Sequence, residues 1–179
     1  MINIGAQNVG RIAERIVANE LEARGFRVSD LNKEGTAANA DLLAVSPSRA
    51  WQIQVKGAAN GPKDRCWVGY GYFTEEIVAG TRPIFNHAKS FYAADVVILV
   101  AVRSPKEYSC VVLPIDIAEH VADLHLAAFR DRGWPRGKTH LILEPGPRAK
   151  ESDPRVIEER KLLALYRDEQ GWERLLQSN

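Results

Sequence analysis

Residues 41–57, DLLAVSPSRAWQIQVKG, contain the most informative pattern in this chain. Two apolar runs flank the turn residues SPSR, a pattern typical of two short strands joined in a hairpin. Because side chains alternate along a strand, the second run is predicted to present two different faces. One face carries Trp51, Ile53 and Val55, and the other carries Gln52, Gln54 and Lys56. The alternation alone also fits an ordinary half-exposed strand, so it leaves the role of the polar face open.

Three features favour a functional role for this polar face. Lys56 stands directly before Gly57, and glycine within a strand marks a place where another backbone or a ligand comes close. Asp41 opens the neighbouring strand. The short turn holds the two strands in register, so we expect Asp41 to lie near Gln54 and Lys56.

A carboxylate, an amide oxygen and a lysine in one place suit metal-assisted chemistry on a phosphate. Hard divalent cations such as Mg²⁺ are bound by carboxylate, amide and backbone carbonyl oxygens. Such a cation would hold a phosphate and make a water molecule more nucleophilic, and the lysine would orient that water or offset charge in the transition state. The hairpin therefore predicts a candidate site that contains Asp41, Gln54 and Lys56.

The segments around the hairpin predict an α/β domain. Apolar residues at helical spacing predict an amphipathic helix that starts near Val9 and ends at Gly25. FRVSDL, YSCVVLPI and THLILEP predict further strands, and the apolar run DVVILVAV is typical of a strand buried on both faces. Residues 116–130 and 154–177 predict helices, whereas residues 57–74 have no clear period and are interpreted as irregular. This order of elements favours a central mixed sheet flanked by helices.

The pattern Asp41…Gln54-Val55-Lys56 resembles the core motif of the PD-(D/E)XK nuclease superfamily in its D…QxK variant. The preceding segment AERIVANELEARGFRV is similar to the first helix and strand of archaeal Holliday-junction resolvases and Mrr-like restriction endonucleases. Those proteins carry a glutamate about three helical turns before a GF pair, and Glu14 stands at the matching place. The resemblance implies a restriction-endonuclease-like core.

The resemblance also implies a role for each matching residue. Asp41 would bind the metal directly, Gln54 would supply a side-chain oxygen, and the carbonyl of Val55 would be a further ligand. Lys56 would be the catalytic lysine. Glu14 would be a second acid that reaches the metal directly or through water. Gln54 departs from the usual acid of the motif, and this change removes one negative charge and weakens Mg²⁺ binding.

The resemblance implies a Mg²⁺- or Mn²⁺-dependent endonuclease that hydrolyses phosphodiester bonds in DNA and works as a homodimer. The alternative is a catalytically inactive member that keeps the fold to bind nucleic acid or a protein partner. The net charge of +1 and the missing acid at Gln54 favour that alternative. Residues 1–145 are predicted to form the nuclease-like domain, and residues 146–179 are predicted to form a helical extension packed on it.

Glu20 is another acid on the first helix, and its sequence position leaves two interpretations open. It lies nearer the centre of the apolar stripe than Glu14, where an unpaired carboxylate is costly. It is therefore either a partner for a basic residue or a member of the site.

Further residues flank the candidate site in sequence. Basic side chains in polar loops either contact phosphates or are simply solvated, and they are Lys33, Lys63, Arg65, Arg82 and Lys89. Aromatic side chains either stack on splayed bases or pack in the core or a dimer, and they are Trp67, Tyr70, Tyr72 and Phe73.

Composition bounds the remaining possibilities. The chain has 179 residues, of which 45% are hydrophobic and 26% charged, as is usual for one globular domain. It has neither an apolar run of about 18 residues nor a signal-peptide pattern, so we expect a cytoplasmic protein without membrane spans. Cys66 and Cys110 belong to no CxxC pair and are expected to be reduced thiols. The four histidines lack the spacing of a zinc site.

Overall fold

A computed structural model describes residues 6–31, 40–59, 67–76, 84–87, 94–104, 106–131, 138–142 and 152–177. Within these ranges the helices are α1 (Ala6–Ala23), α2 (Ile115–Asp131), α3 (Pro154–Leu165) and α4 (Asp168–Gln177). The strands are β1 (Arg27–Asp30), β2 (Leu42–Val45), β3 (Ala50–Ala59), β4 (Trp67–Glu76), β5 (Ile84–His87), β6 (Val96–Ser104), β7 (Glu107–Pro114) and β8 (Lys138–Ile142).

Five of these strands form a mixed central sheet in the order β1-β2-β3-β6-β7. β1, β2 and β3 are antiparallel neighbours, β3 and β6 are parallel, and β7 returns antiparallel to β6. The predicted hairpin is present, with Leu42 opposite Ile53. Gly25 ends α1 with a φ of 88°, a left-handed conformation that glycine adopts without a steric penalty. The predicted α/β class, a central mixed sheet flanked by helices, is confirmed.

β6 separates two apolar layers, as its unbroken apolar sequence predicts. Every side chain from Val96 to Val102 is at most 1% exposed. The even-numbered side chains of this run pack in a cluster with α1 and α4, and the odd-numbered ones pack in a cluster with α2 and α3. The sheet is therefore covered by helices on both faces.

The prediction of one continuous helix over residues 154–177 is wrong, because this segment forms α3 and α4. Leu163 of α3 belongs to the apolar cluster on the α2 side of the sheet. Trp172 and Leu175 of α4 belong to the cluster on the α1 side. A straight helix cannot reach both faces, so the chain breaks where it crosses from one face to the other.

The crossing occurs at the edge of the central sheet, along β7. The backbone N–H of Val112 donates to the carbonyl oxygen of Tyr166 at 2.8 Å. The carboxylate of Asp168 accepts the backbone N–H of Cys110 at 2.8 Å. These bonds cover part of an edge strand that would otherwise present unpaired backbone groups.

The interpretation of residues 57–74 as irregular is wrong for the part of this range that the structure describes. β3 continues to Ala59, and β4 begins at Trp67. β4 pairs with β5 and β8 in a separate three-stranded sheet that contacts β3. The pairing of β4 with β8 shifts register between Gly69 and Gly71, so the strand lacks an uninterrupted two-residue period.

The C-terminal helices pack on the sheet and on α2, where two histidines contact two glutamates. His125 Nδ1 lies 2.9 Å from Glu159 Oε2 in a buried pair, and His120 Nε2 lies 3.2 Å from Glu158 Oε1 at the surface.

Cys110 is a buried free thiol, and Cys66 lies outside the described residues. None of the helices in the described ranges is long and apolar enough to cross a membrane. The division of the chain at residues 145 and 146 stays a prediction.

Candidate functional site

The site predicted from the hairpin lies where β2 separates from β3. The last paired residues are Leu42 and Ile53, and Asp41 stands one residue beyond them. The backbone N–H of Asp41 donates to the carbonyl of Ile53 at 2.8 Å, and its own carbonyl accepts the N–H of Leu31 at 3.0 Å. Asp41 is thus held by its backbone between the first and third strands of the sheet.

Beyond the end of β2, the side chain of Asp41 makes the next hydrogen bond to β3. Its Oδ2 accepts the backbone N–H of Val55 at 2.7 Å. The N–H and C=O of one strand residue point to the same side of that strand, so the Val55 carbonyl also leaves β3 on the side of Asp41. It lies beyond the last β2 pair. Two oxygen-bearing groups, a carboxylate and a backbone carbonyl, therefore meet at this gap in the sheet.

Gln54 and Lys56 flank Val55 and share the opposite face of β3 from Ile53. Their register partners in β6 are Val97 and Leu99. Gln54 is only 6% exposed, whereas Lys56 is half-buried and Gln52 is exposed. The predicted alternation is present. The exposure of the polar side chains nevertheless falls from Gln52 to Gln54. This face is therefore not uniformly exposed to solvent, as it would be in an ordinary half-exposed strand.

Gly57 explains how α1 reaches this part of the sheet. A Cβ atom added to Gly57 would lie 2.5 Å from the Cβ of Ala13 and 3.1 Å from the carbonyl oxygen of Val9. Real side chains do not tolerate the shorter distance, so glycine lets the helix backbone approach β3 closely. The next residue of α1 is Glu14, and the close approach therefore brings its carboxylate toward the site.

The electrostatics of Glu14 link it to the hairpin residues. Burial raises the pKa of the half-buried Glu14 carboxyl, and the nearby carboxylates of Asp41 and Asp30 raise it further. Arg11 and Lys56 act in the opposite direction, with smaller effects. Glu14 thus feels the charges of both Asp41 and Lys56, as the predicted arrangement requires. The metal-binding and catalytic roles of Glu14, Asp41, Gln54, Val55 and Lys56 stay predictions.

Asp30 and Arg11 are charged neighbours of Glu14 that the sequence analysis missed. Asp30 ends β1 opposite Leu42, one residue along from Asp41 in the pairing. Pairing the predicted strand FRVSDL with the hairpin in the sequence would have placed Asp30 next to Asp41. Arg11 precedes Glu14 by three residues on α1, a spacing that places two helical side chains side by side.

Glu20 belongs to a different cluster, which settles its two interpretations. Its carboxylate accepts a hydrogen bond from the hydroxyl group of Tyr108 and pairs with Arg24. The hydrogen bond to Glu20, together with burial, raises the pKa of Tyr108 to about 12. Arg24 also reaches Glu169 at 2.6 Å and lies over the ring of Trp172 at 4.8 Å. Glu20 is a structural partner that connects α1 to β7 and, through Arg24, to α4.

The donor set at the gap fits a hard divalent cation in kind. Asp41 and Glu14 would supply carboxylate oxygens, Gln54 an amide oxygen and Val55 a carbonyl oxygen, which are the oxygen types that Mg²⁺ accepts. Gln54 lies on the face of β3 that α2 and α3 cover, whereas Glu14 comes from α1 on the other face. Among the residues that the structure describes, no group of three or more His, Cys, Asp or Glu side chains is placed to hold a metal ion. A cation here would therefore depend on the amide and the backbone carbonyl as well as on two acids.

Within the described ranges, the structure gives no side-chain contacts between this site and the aromatic and basic residues predicted to flank it. Trp67, Tyr70, Tyr72 and Phe73 lie along β4, and their proposed stacking stays a prediction. The five basic residues from polar loops lie outside the described ranges, and they are Lys33, Lys63, Arg65, Arg82 and Lys89.

Comparisons with known proteins bear on the fold. No protein-family model matches the chain, and no curated protein matches it in sequence. Among solved structures, the chain is similar to a bacterial homing endonuclease, I-Ssp6803I, with a TM-score of 0.50 and 15% sequence identity. The likeness covers 98% of this chain and 99% of that chain. At this identity it establishes the fold alone, an α/β fold like that of this endonuclease. The finer assignment to the D…QxK variant of the PD-(D/E)XK superfamily stays a prediction.

Proposed function

We propose that this chain is a metal-dependent endonuclease that hydrolyses phosphodiester bonds in DNA. One observation carries the proposal: the Asp41 carboxylate accepts a hydrogen bond from the backbone N–H of Val55, the residue between Gln54 and Lys56. This contact lies at the point where the pairing of β2 with β3 ends. Glu14 approaches the same point from α1 and feels the charges of Asp41 and Lys56. The nuclease-like fold supports the same conclusion, because it is a known framework for this chemistry.

The residues of the site divide into those that hold a cation and one that acts on the phosphate. Asp41, Glu14, the Gln54 amide oxygen and the Val55 carbonyl oxygen would hold Mg²⁺ or Mn²⁺. When bound, the cation supplies positive charge for the scissile phosphate and Lewis acidity for the attacking water.

Lys56 brings a second positive charge to the same place. Its ammonium group would donate hydrogen bonds to a non-bridging phosphate oxygen or to the attacking water, and it would stabilise the charge that develops in the transition state. The bond between Asp41 and Val55 keeps the carboxylate in place, so little reorganisation is needed when substrate binds.

DNA is the proposed partner, and two copies of the chain would cut both strands of a duplex. Each copy contributes one site of the kind described, so double-strand cleavage requires a homodimer or two successive cuts. Gel filtration with light scattering measures which of these applies in solution.

DNA cleavage tests the proposal directly. Plasmid and branched DNA are incubated with the purified chain and Mg²⁺ or Mn²⁺, beside the Asp41→Ala and Lys56→Ala variants. We expect the wild type to cut, and each substitution to slow single-turnover cleavage by roughly 10²- to 10³-fold, since each removes charge from the transition state. Cleavage at equal rates by all three proteins would overturn the assignment of the site.

A second function is favoured by the small number of acids. Gln54 stands where an acid would add charge, and only two carboxylates belong to the proposed ligand set. If the wild type binds DNA without cutting it under any of these conditions, the chain is an inactive module of the same fold that binds nucleic acid. Restoring the acid with Gln54→Glu then tests whether the missing charge is the reason.

A further inference from the structure

The exposed side of α1 carries a row of hydrogen-bond donors beside the proposed site. Its members are Asn8, Arg11, Arg15 and Asn19, and all four side chains are exposed. The spacing of three or four residues places them along one side of the helix, opposite the core residues Ala13 and Val17. We call this row the α1 ridge.

The α1 ridge is positively charged, although the chain as a whole has a net charge of only +1. Arg11 and Arg15 stand one turn apart, about 6 Å along the helix axis. The first turn of α1 contains no acid, and the partial positive charge of a helix N-terminus adds to the local potential. Glu22 is the first exposed acid on this side, two turns beyond Arg15.

The guanidinium groups of Arg11 and Arg15 are exposed. Within the described ranges, neither Arg11 nor Arg15 makes a hydrogen bond or a salt bridge. This differs from Arg24 near the end of the same helix, which pairs with Glu20 and Glu169 and covers Trp172. Arg24 contributes to the packing of the molecule, whereas Arg11 and Arg15 face the solvent.

The position of the α1 ridge relative to the site sets its role. Arg11 precedes Glu14 by three residues on α1, a spacing that places the two side chains next to each other on the helix. The close approach of α1 to β3 at Gly57, beside Ala13, brings this part of the helix to the site. A nucleic-acid strand with one phosphate in the site must leave the site over the neighbouring surface, and this row of donors forms part of that surface.

We propose that the α1 ridge binds the phosphate backbone of DNA next to the scissile phosphate, with Arg15 and Arg11 making the charged contacts. This inference rests on the proposed function and specifies which surface holds the substrate. Arginine and asparagine side chains are common donors to phosphate oxygens, and such contacts position a duplex without reading its sequence. The ridge therefore contributes affinity and register, and it contributes no base specificity.

Arg15→Gln is the cleanest test variant, because Arg15 is not among the charges that shift Glu14. Its matched control is Lys161→Gln, which removes one exposed positive charge from α3 on the opposite face of the sheet. Arg11→Gln is added to Arg15→Gln in a double variant. Thermal unfolding of each protein confirms that the surface changes leave the fold intact.

Binding is measured by fluorescence anisotropy with a labelled DNA duplex, in EDTA, between about 50 and 200 mM salt. Each lost phosphate contact lowers the slope of log K against log salt by about 1. We expect Arg15→Gln to lower the slope by about 1, the double variant by about 2 with at least tenfold weaker binding, and Lys161→Gln to match the wild type. In cleavage assays Arg15→Gln raises KM and leaves kcat unchanged.

The inference is overturned if both ridge variants bind with the wild-type affinity and slope, or if Lys161→Gln loses as much as Arg15→Gln. Cleavage and binding are separate readouts. A wild type that binds through the ridge without cutting DNA refutes the endonuclease and leaves the ridge standing. A wild type that cuts, with ridge variants indistinguishable from it, refutes the ridge alone.

Discussion

Glu14 and Glu20 lie on the same helix, and their surroundings differ in kind. Glu20 accepts hydrogen bonds from Tyr108 and Arg24, so donors within the chain match its charge. Glu14 lies among other carboxylates, and burial together with Asp41 and Asp30 raises its pKa. A carboxylate that stabilises a fold is surrounded by donors. A carboxylate near like charges is repelled by them, and a bound cation would reduce that repulsion. The surroundings of Glu14 therefore agree with the proposed metal site.

The two regions also differ in what they connect. The Glu20 cluster joins three elements that are far apart in sequence, α1, β7 and α4. The Glu14 region joins α1 to the gap between β2 and β3, where the sheet pairing ends. Replacement of Glu20 should therefore act on stability, and replacement of Glu14 should act mainly on chemistry.

The largest effect on stability is expected from Gly57→Ala, which changes the packing of α1 against β3. The added Cβ would collide with Ala13 and push α1, which carries Glu14, away from β3. We expect a loss of roughly 3 kcal/mol in the free energy of unfolding, measured by urea denaturation, together with slower DNA cleavage.

Gly10→Ala is the matched control for Gly57→Ala. A Cβ atom at Gly10 meets nothing within 4 Å, and alanine is favoured over glycine inside a helix by roughly 0.5–1 kcal/mol. This variant should be slightly more stable and equally active. If Gly57→Ala were as well tolerated as Gly10→Ala, the close approach of α1 to β3 would not be what positions Glu14.

Glu20→Ala should act on stability alone. It leaves the Tyr108 hydroxyl and the Arg24 guanidinium of the cluster without their shared acceptor, at a cost of about 1–3 kcal/mol in the free energy of unfolding. Cleavage per folded molecule should equal that of the wild type. A variant that remains fully stable but loses cleavage would place Glu20 in the site instead.

The smallest expected effect is the pH dependence of Glu14→Gln in protein without metal. Because the folded state raises the pKa of Glu14 above its ordinary value of 4.5, the folded protein holds this proton more tightly than the unfolded chain. The wild type therefore loses stability relative to Glu14→Gln as the pH rises from 4.5 through the raised pKa. The two proteins should converge at lower pH, as urea denaturation across the pH range will measure. A difference that is constant with pH would contradict the raised pKa.

Local patterns predicted most of the central sheet. The hairpin followed from two alternating runs around SPSR, and β6 followed from an apolar run long enough to be buried on both faces. The closeness of Asp41 to the β3 residues followed from the short turn between the two strands. These features depend on neighbouring residues, so the sequence contains them directly.

The features that were missed depend on distant parts of the chain. The break between α3 and α4 exists because the segment must pass around β7, and no local signal records that edge. The partner of Glu20 is Tyr108, which lies 88 residues away. The burial of Gln54 depends on how the helices cover β6 and β3, and not on its strand alone.

The most direct measurement compares single-turnover DNA cleavage by Glu14→Gln and Glu20→Gln in Mg²⁺. The two substitutions remove the same charge from the same helix and keep the same side-chain size. We expect Glu14→Gln to slow cleavage by roughly 10- to 100-fold, and Glu20→Gln to cut like the wild type per folded molecule. Equal rates for the two variants, or a loss confined to Glu20→Gln, would contradict the assignment of Glu14 to the site.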